Sequence, residues 1–293
     1  MNFTDYCQKK IVLVDQFLQN YLTNDGISKV NESMIYSLTA GGKRLRPLLL
    51  MAAADTIGEP GEKFLNTACA LEMIHTYSLI HDDLPTMDND DYRRGKLTNH
   101  KVFGEDIALL AGDGLLTLAF ECVAQQENVD PKTLVQIISS IAHYAGIAGM
   151  VGGQTIDILA DRENHALSYE QLRVMHNAKT GALFKAALCS GAKLANANEE
   201  QLAVINSFAE SYGLVFQITD DILDVEGDFE TIGKPVGSDE RNHKVTYVSH
   251  FGLDGAKQHA LQTVTDAKQQ LSIFGERAWL LTAFLDQLLI RKT

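Results

Sequence analysis

"QLAVINSFAESYGLVFQITDDILDV", residues 201–225, spaces its apolar side chains mostly by three and four. That is the period of an amphipathic helix, with little of the alternation a strand needs. The same spacing runs through the rest of the chain, and only five prolines interrupt its 293 residues. Helix starts are marked. Asp130 before Pro131 fits an N-cap and first helical position. Ser168 with Gln171, and Asn198 with Gln201, fit capping boxes or their relatives. The periodicity predicts roughly ten to twelve helices, with breaks near 24–26, 58–61, 89–95, 128–131, 161–168 and 227–239. No linker rich in Gly, Pro or Ser divides the chain, so residues 1–293 are expected to form one all-α domain, a helical bundle.

Composition narrows the partners. Hydrophobic residues make up 45% and charged residues 22%, an ordinary globular balance, and the net charge is −13. Such a surface repels nucleic-acid phosphates and anionic membranes. A local basic pocket for an anionic small molecule remains compatible with it. The N-terminus has no apolar signal core, and no unbroken apolar run suggests a membrane span, so a cytoplasmic location is expected. Cys7, Cys69, Cys122 and Cys189 form no CxxC pair and read as free thiols.

The carboxylates of the opening stretch carry chemistry. On a helix, Asp220 and Asp224 lie about 40° apart, with Asp221 and Gln217 close to the same stripe. Carboxylates so grouped destabilise one another unless a cation joins them. A weak internal echo, "LIHDDLPTMD", repeats the arrangement. Asp82 and Asp83 end an apolar helix, Pro85 breaks it, and Asp88 can turn back toward Asp82. Carboxylates completed by water and phosphate oxygens suit Mg²⁺. The spacing lacks the pattern of an EF-hand, and zinc would require more His or Cys. Two such clusters facing one cavity would hold several divalent cations and, through them, a diphosphate.

Cations accompany the carboxylates. Arg93 and Arg94 follow the first cluster and suit phosphate oxygens. "GGKRLRP", residues 41–47, places Lys43 and Arg46 on one face of a helix start, where the helix dipole adds positive charge. Lys179-Thr180-Gly181 lies in an apolar helix, and Gly233-Lys234-Pro235 follows the second cluster. His75 lies about 20° from Asp82 around a helix.

With these residues in hand, the chain resembles the trans-isoprenyl diphosphate synthases, and within them the bacterial-type farnesyl diphosphate synthases. The resemblance rests on "GGKRLRP", "DDLPTMD" with "RRG", "GGQTID", "KTG", "FQITDDILD" and "GKPVGSD" in that order, across nearly the whole chain. It implies an all-α isoprenoid synthase bundle around a deep central cavity, usually a homodimer. It implies that Asp82, Asp83, Asp88, Asp220, Asp221 and Asp224 bind Mg²⁺, three ions per active site, with Mn²⁺ as an alternative. Arg93, Lys179 and Lys234 match residues that grip an allylic diphosphate, dimethylallyl or geranyl. Lys43, Arg46, His75 and Arg94 match the isopentenyl diphosphate pocket. Thr180 and Gln217 match polar groups near the reacting carbons, Gln154 and Asp157 look like supporting residues, and Asp239 and Lys244 fall in a segment that closes over the metals.

Product length depends on what blocks the space one turn or more before Asp82. The resemblance points to Tyr77, an aromatic at the depth that limits elongation to farnesyl diphosphate. An ideal helix turns Tyr77 about 140° and Ser78 about 40° from Asp82, so periodicity points to Ser78. The alternatives are a geranyl or geranylgeranyl diphosphate synthase, a terpene cyclase, which has no use for Lys43, Arg46 and Arg94, and a silent partner subunit, which has no need of both acidic motifs.

Overall fold

Side-chain caps start the helices where the sequence marks them. Thr133 N–H donates to Asp130 Oδ2 at 3.0 Å. Ser168 and Gln171 form a reciprocal capping box, and Asn198 and Gln201 exchange bonds of 3.0 and 2.8 Å. The computed structural model describes residues 2–23, 28–163, 167–226 and 245–291, and these are all-α apart from one hairpin of two-residue strands. The described residues fall into two compact units, residues 1–51 with 60–139, and residues 52–59 with 140–293.

The first unit contains α1 (Phe3–Thr23), α2 (Lys29–Leu38), the start of α3 (Leu45–Ile57), α4 (Leu65–Asp82), β1 (Tyr92–Arg93), β2 (Lys96–Leu97), α5 (Asn99–Phe103) and α6 (Glu105–Ala124). Its centre is α4 packed on α6. Helix α6 buries Ala108, Ala111, Leu115, Ala119 and Cys122 at spacings of three and four, and these mostly small residues let the two axes approach. The hairpin turns at Arg94 and Gly95, with φ of 54° and 74°. Two successive positive φ values make the tight turn that suits a two-residue hairpin. The sequence reading left this stretch as a break.

The second unit contains α8 (Met150–Arg162), α9 (Tyr169–His176), a π turn (Asn177–Gly181), α10 (Ala182–Leu194), α11 (Glu199–Glu226), α12 (Tyr247–Gln270) and α13 (Trp279–Ile290); α7 (Pro131–Ala145) leads into it. Its core includes Phe184 edge-on to Tyr212 at 5.1 Å, with Phe208, Val215 and Ile218 buried beside them. Glycines set its closest approaches. A Cβ on Gly153 would stand 2.1 Å from Lys179 N, and one on Gly213 would stand 3.1 Å from Gly181 Cα. The backbones of α8 and α11 therefore meet the π turn almost directly.

All four cysteines are free thiols. Burial pushes Cys7 and Cys189 up to about 11 and Cys122 up to about 12, which keeps them protonated and unreactive. Two stretches, Glu105–Ala124 and Pro131–Arg162, are long and apolar enough to cross a membrane by length and composition. No unbroken apolar run marks them in the sequence, because single polar residues such as Asp113 interrupt the spans. Helix α6 uses one apolar face for the core of its unit.

Gly153→Val should lower the free energy of unfolding by about 1–3 kcal/mol, the usual cost of overpacking, since backbone atoms cannot yield as a side chain can. Chemical denaturation checks it; an unchanged midpoint would refute the close approach.

Candidate functional site

In the first unit, α4 ends at Asp82. The chain then folds back, and Asp88 N–H donates to the Asp82 carbonyl at 2.8 Å, the return that Pro85 was expected to permit. Asp82 is half-buried and Asp88 exposed. Asp83 behaves differently. It is buried, and Arg93 on β1 grips it with Nε at 2.7 and 3.0 Å and Nη2 at 2.6 Å. Burial raises the Asp83 carboxyl above its ordinary value, and the Arg93 bond offsets part of that rise. The structure thus gives Asp83 to an arginine.

The basic loop divides its labour similarly. Of the three cations in residues 43–46, the middle one faces inward. Arg44 is 3% exposed and sits at φ 50°. It bonds Asp15 at 2.8 Å, Glu72 at 2.9 Å and the Leu38 carbonyl at 2.5 Å. Lys43 is exposed and Arg46 half-buried in the first turn of α3. Arg94 donates to the Gly41 carbonyl, and a Cβ on Gly42 would collide with its guanidinium at 2.6–2.8 Å. The Gly-Gly pair is therefore a bed for Arg94. Among the described residues no carboxylate pairs with Arg94.

The charges of these arginines reach His75. Its pKa is driven well below 6.5, first by burial and then by the charges of Arg46, Arg94, Arg93 and Arg44. The site thus combines an imidazole disfavoured for protonation with concentrated positive charge, an arrangement that an anion of high charge would complete. Two residues further along α4, Tyr77 is 6% exposed and meets His81 edge-on at 5.7 Å. Burial, then the charge of Asp82, pushes the Tyr77 hydroxyl up to about 12. Ser78 is half-buried and donates to the His75 carbonyl at 2.9 Å.

In the second unit the π turn carries Lys179 and Thr180. Single π turns inside helices are frequent at functional sites. Lys179 Nζ lies 2.5 Å from Asp157 Oδ2 on α8, so "GGQTID" meets "KTG" through both a glycine and an ion pair. Gln154 lies half-buried on the same helix. Along α11, Gly213, Gln217, Asp220 and Asp224 fall within about 60° of one another, and Gly213 touches the π turn. Asp221 lies off this stripe. It is buried and accepts the Tyr247 N–H at the start of α12, at 2.6 Å.

The residues fit a hard dication. Asp82 with Asp88, and Asp220 with Asp224, offer oxygen donors in pairs. Among the described residues no three His, Cys, Asp or Glu side chains converge as a ready cage. Pairs of carboxylates suit an ion that keeps its waters and takes phosphate oxygens, as Mg²⁺ does. Lys234, Asp239 and Lys244 lie outside the described residues. One residue escaped the sequence reading. Arg291, just beyond α13, bonds Asp220 Oδ1 and the Phe216 carbonyl, each at 2.7 Å, and Thr219 Oγ1 at 3.1 Å. No spacing signal links positions so far apart in the chain.

Comparison with known proteins adds independent observations. A family described as Polyprenyl synthetase matches residues 27–273. The chain is 47% identical over 261 residues to a farnesyl diphosphate synthase of Geobacillus stearothermophilus, covering 88% of this chain and 87% of that one. It is 43% identical over 286 residues to a geranylgeranyl diphosphate synthase of Cyanophora paradoxa, covering 97% and 95%. The crystal structure of an FPP/GFPP synthase from Zymomonas mobilis superposes with a TM-score of 0.86 at 35% identity, covering 96% of this chain and 98% of that one.

The low His75 pKa has a measurable sign. Below about 6.5 the unfolded chain takes up a proton that the folded chain refuses, so this contribution to stability is complete above that pH and declines as pH falls. By NMR, the His75 ring should remain neutral at pH 6, and inorganic diphosphate should raise its pKa by offsetting the arginines. Titration near 6.5 in the free protein would disprove the arrangement.

Proposed function

This chain belongs to the polyprenyl synthetase family, and we propose that within it the protein is a farnesyl diphosphate synthase. It is a prenyl transferase. The proposed reaction joins isopentenyl diphosphate to dimethylallyl diphosphate and then to geranyl diphosphate, through one polyprenyl synthase domain spanning the chain. The observation that carries the reading is the arrangement after α4, where Arg93 grips Asp83 and Arg94 sits on the Gly41 carbonyl, basic groups for an anion near the half-buried Asp82 and the exposed Asp88.

In this reading Asp82, Asp88, Asp220 and Asp224 hold Mg²⁺, with Asp83 and Asp221 orienting their surroundings. The metal, when bound, supplies positive charge against the departing diphosphate. Arg93, Lys179 and Lys234 add further charge there, since the C–O bond breaks to leave an allylic cation and an anionic leaving group. Lys43, Arg46, His75 and Arg94 hold isopentenyl diphosphate so that its double bond attacks that cation, an advantage of proximity. Thr180 and Gln217 place polar atoms near the reacting carbons. Gln154 and Asp157 support them, and Asp239 and Lys244 help exclude water that would trap the cation. The released diphosphate takes the final proton.

Tyr77 supports the fifteen-carbon product. It is a buried aromatic on α4 before Asp82, and in this reading it stops the growing chain. With Mg²⁺ and both substrates, the pure protein should yield a fifteen-carbon alcohol after dephosphorylation, and a chelator should abolish turnover. Tyr77→Ala should lengthen the product. A dominant twenty-carbon alcohol from the unaltered chain would favour the geranylgeranyl assignment instead.

The proposed assembly is a cytoplasmic homodimer. Leu109 and Leu110 on α6 are 46% and 50% exposed, an apolar surface that a second copy would cover. Leu110→Glu should shift the sedimenting species toward monomer; an unaltered dimer would place the interface elsewhere.

A further inference from the structure

Arg291 is held in an unusually complete setting for a residue outside the family's motifs. Its side chain is 12% exposed. The guanidinium lies 4.3 Å from the centre of the Phe216 ring, a cation–π distance. Nε bonds the Thr219 hydroxyl, and Nη2 is shared between the Phe216 carbonyl and Asp220 Oδ1. The Thr219 hydroxyl is fixed in turn by donating to the Val215 carbonyl at 2.8 Å. Stacking, a backbone acceptor, a hydroxyl and a carboxylate thus converge on one group. Only the carboxylate belongs to a candidate metal site.

The arrangement answers an electrostatic problem. Asp220 and Asp224 lie one turn apart on one stripe of α11, and like charges at that spacing repel. In the metal-free chain some cation must offset them, and Arg291 supplies it at 2.7 Å. A dication that takes Asp220 must either displace the guanidinium or share the carboxylate with it against direct repulsion. Both routes weaken metal binding. The other three contacts of Arg291 do not involve Asp220, so the guanidinium can keep its seat on Phe216 when the carboxylate turns away.

We propose that Arg291 is the resident counter-ion of the second acidic motif. It positions Asp220 in the metal-free chain and sets the affinity of that motif for a dication by competing for its carboxylate. The inference rests on the reading of Asp220 as a metal ligand. Arg291 acts through Asp220 and is a positioning residue.

Binding of Mn²⁺ alone to the full chain, followed by loss of the free-ion electron paramagnetic resonance signal, tests it. Arg291→Met should tighten the site that depends on Asp220 by about two- to fivefold at low ionic strength, the scale of a partly exposed ion pair. It should also lower the thermal midpoint of the metal-free chain while enlarging the rise on adding Mn²⁺. A chain ending at Ile290 should behave alike, which guards against a folding defect peculiar to the substitution. In an Asp220→Asn background, Arg291→Met should leave Mn²⁺ binding unaltered. A merely structural arginine would weaken metal binding when removed, so equal or weaker binding in both variants overturns the inference. If Asp220→Asn does not weaken Mn²⁺ binding to begin with, the metal reading of the motif fails, and this inference with it.

Discussion

Two ionised carboxylates on neighbouring residues repel, and both acidic motifs are shaped by how the fold occupies one member of each pair. Asp83 is buried against the Arg93 guanidinium. Asp221 is buried against the Tyr247 N–H at the start of α12, where the unsatisfied amides of a helix terminus favour negative charge. In each motif the second aspartate is thereby used within the protein. The first and last, Asp82 with Asp88 and Asp220 with Asp224, stay more exposed. A buried carboxylate that lost its partner would be costly, so these internal pairings also fix local structure. Asp83 ties the hairpin to the end of α4, and Asp221 ties α12 to α11.

Close backbone approach does the rest of the positioning. Gly153 has no room for a Cβ beside the π turn and Gly213 little, and that turn presents Lys179 opposite Asp157. Gly42 likewise leaves room only for the Arg94 guanidinium. Gly42 meets a charged group, and Gly153 and Gly181 are points where backbones meet. A motif read as a string of reactive residues is, in space, reactive residues plus the small residues that let them approach.

Much of this was legible in the sequence because it is local. Helix periodicity, the caps at Asp130, Ser168 and Asn198, and the return of Asp88 toward Asp82 depend on residues a few positions apart. The hairpin was missed because its strands are two residues long and its turn uses a non-glycine residue, Arg94, at positive φ. The inward turn of Arg44 was also illegible, since its partners Asp15 and Glu72 are remote in the chain. Asp221 projects about 40° from Gln217 on a helical wheel, at the margin of the stripe, yet the 80° by which it departs from Gly213 turns it toward α12. Wheel projection identifies a stripe but cannot say which neighbour claims its margin.

The largest tension in the molecule lies between its net charge of −13 and the cation cluster of the first unit. An acidic protein keeps anions away at long range, so an anion site must be strong and local. Here the charges of four arginines act on His75, and two of them, Arg44 and Arg93, are already neutralised by carboxylates. Those pairings hold the cluster together in the absence of ligand. Arg94, seated on a backbone carbonyl, forms no direct ion pair with a described carboxylate, and Glu72 and Asp83 act on it only at longer range. A fifth positive charge at His75 would add repulsion without a partner, and the low pKa of its ring avoids that. The imidazole can then donate or accept a hydrogen bond while the arginines carry the charge. A bound anion would reverse the balance and make protonation of His75 easier.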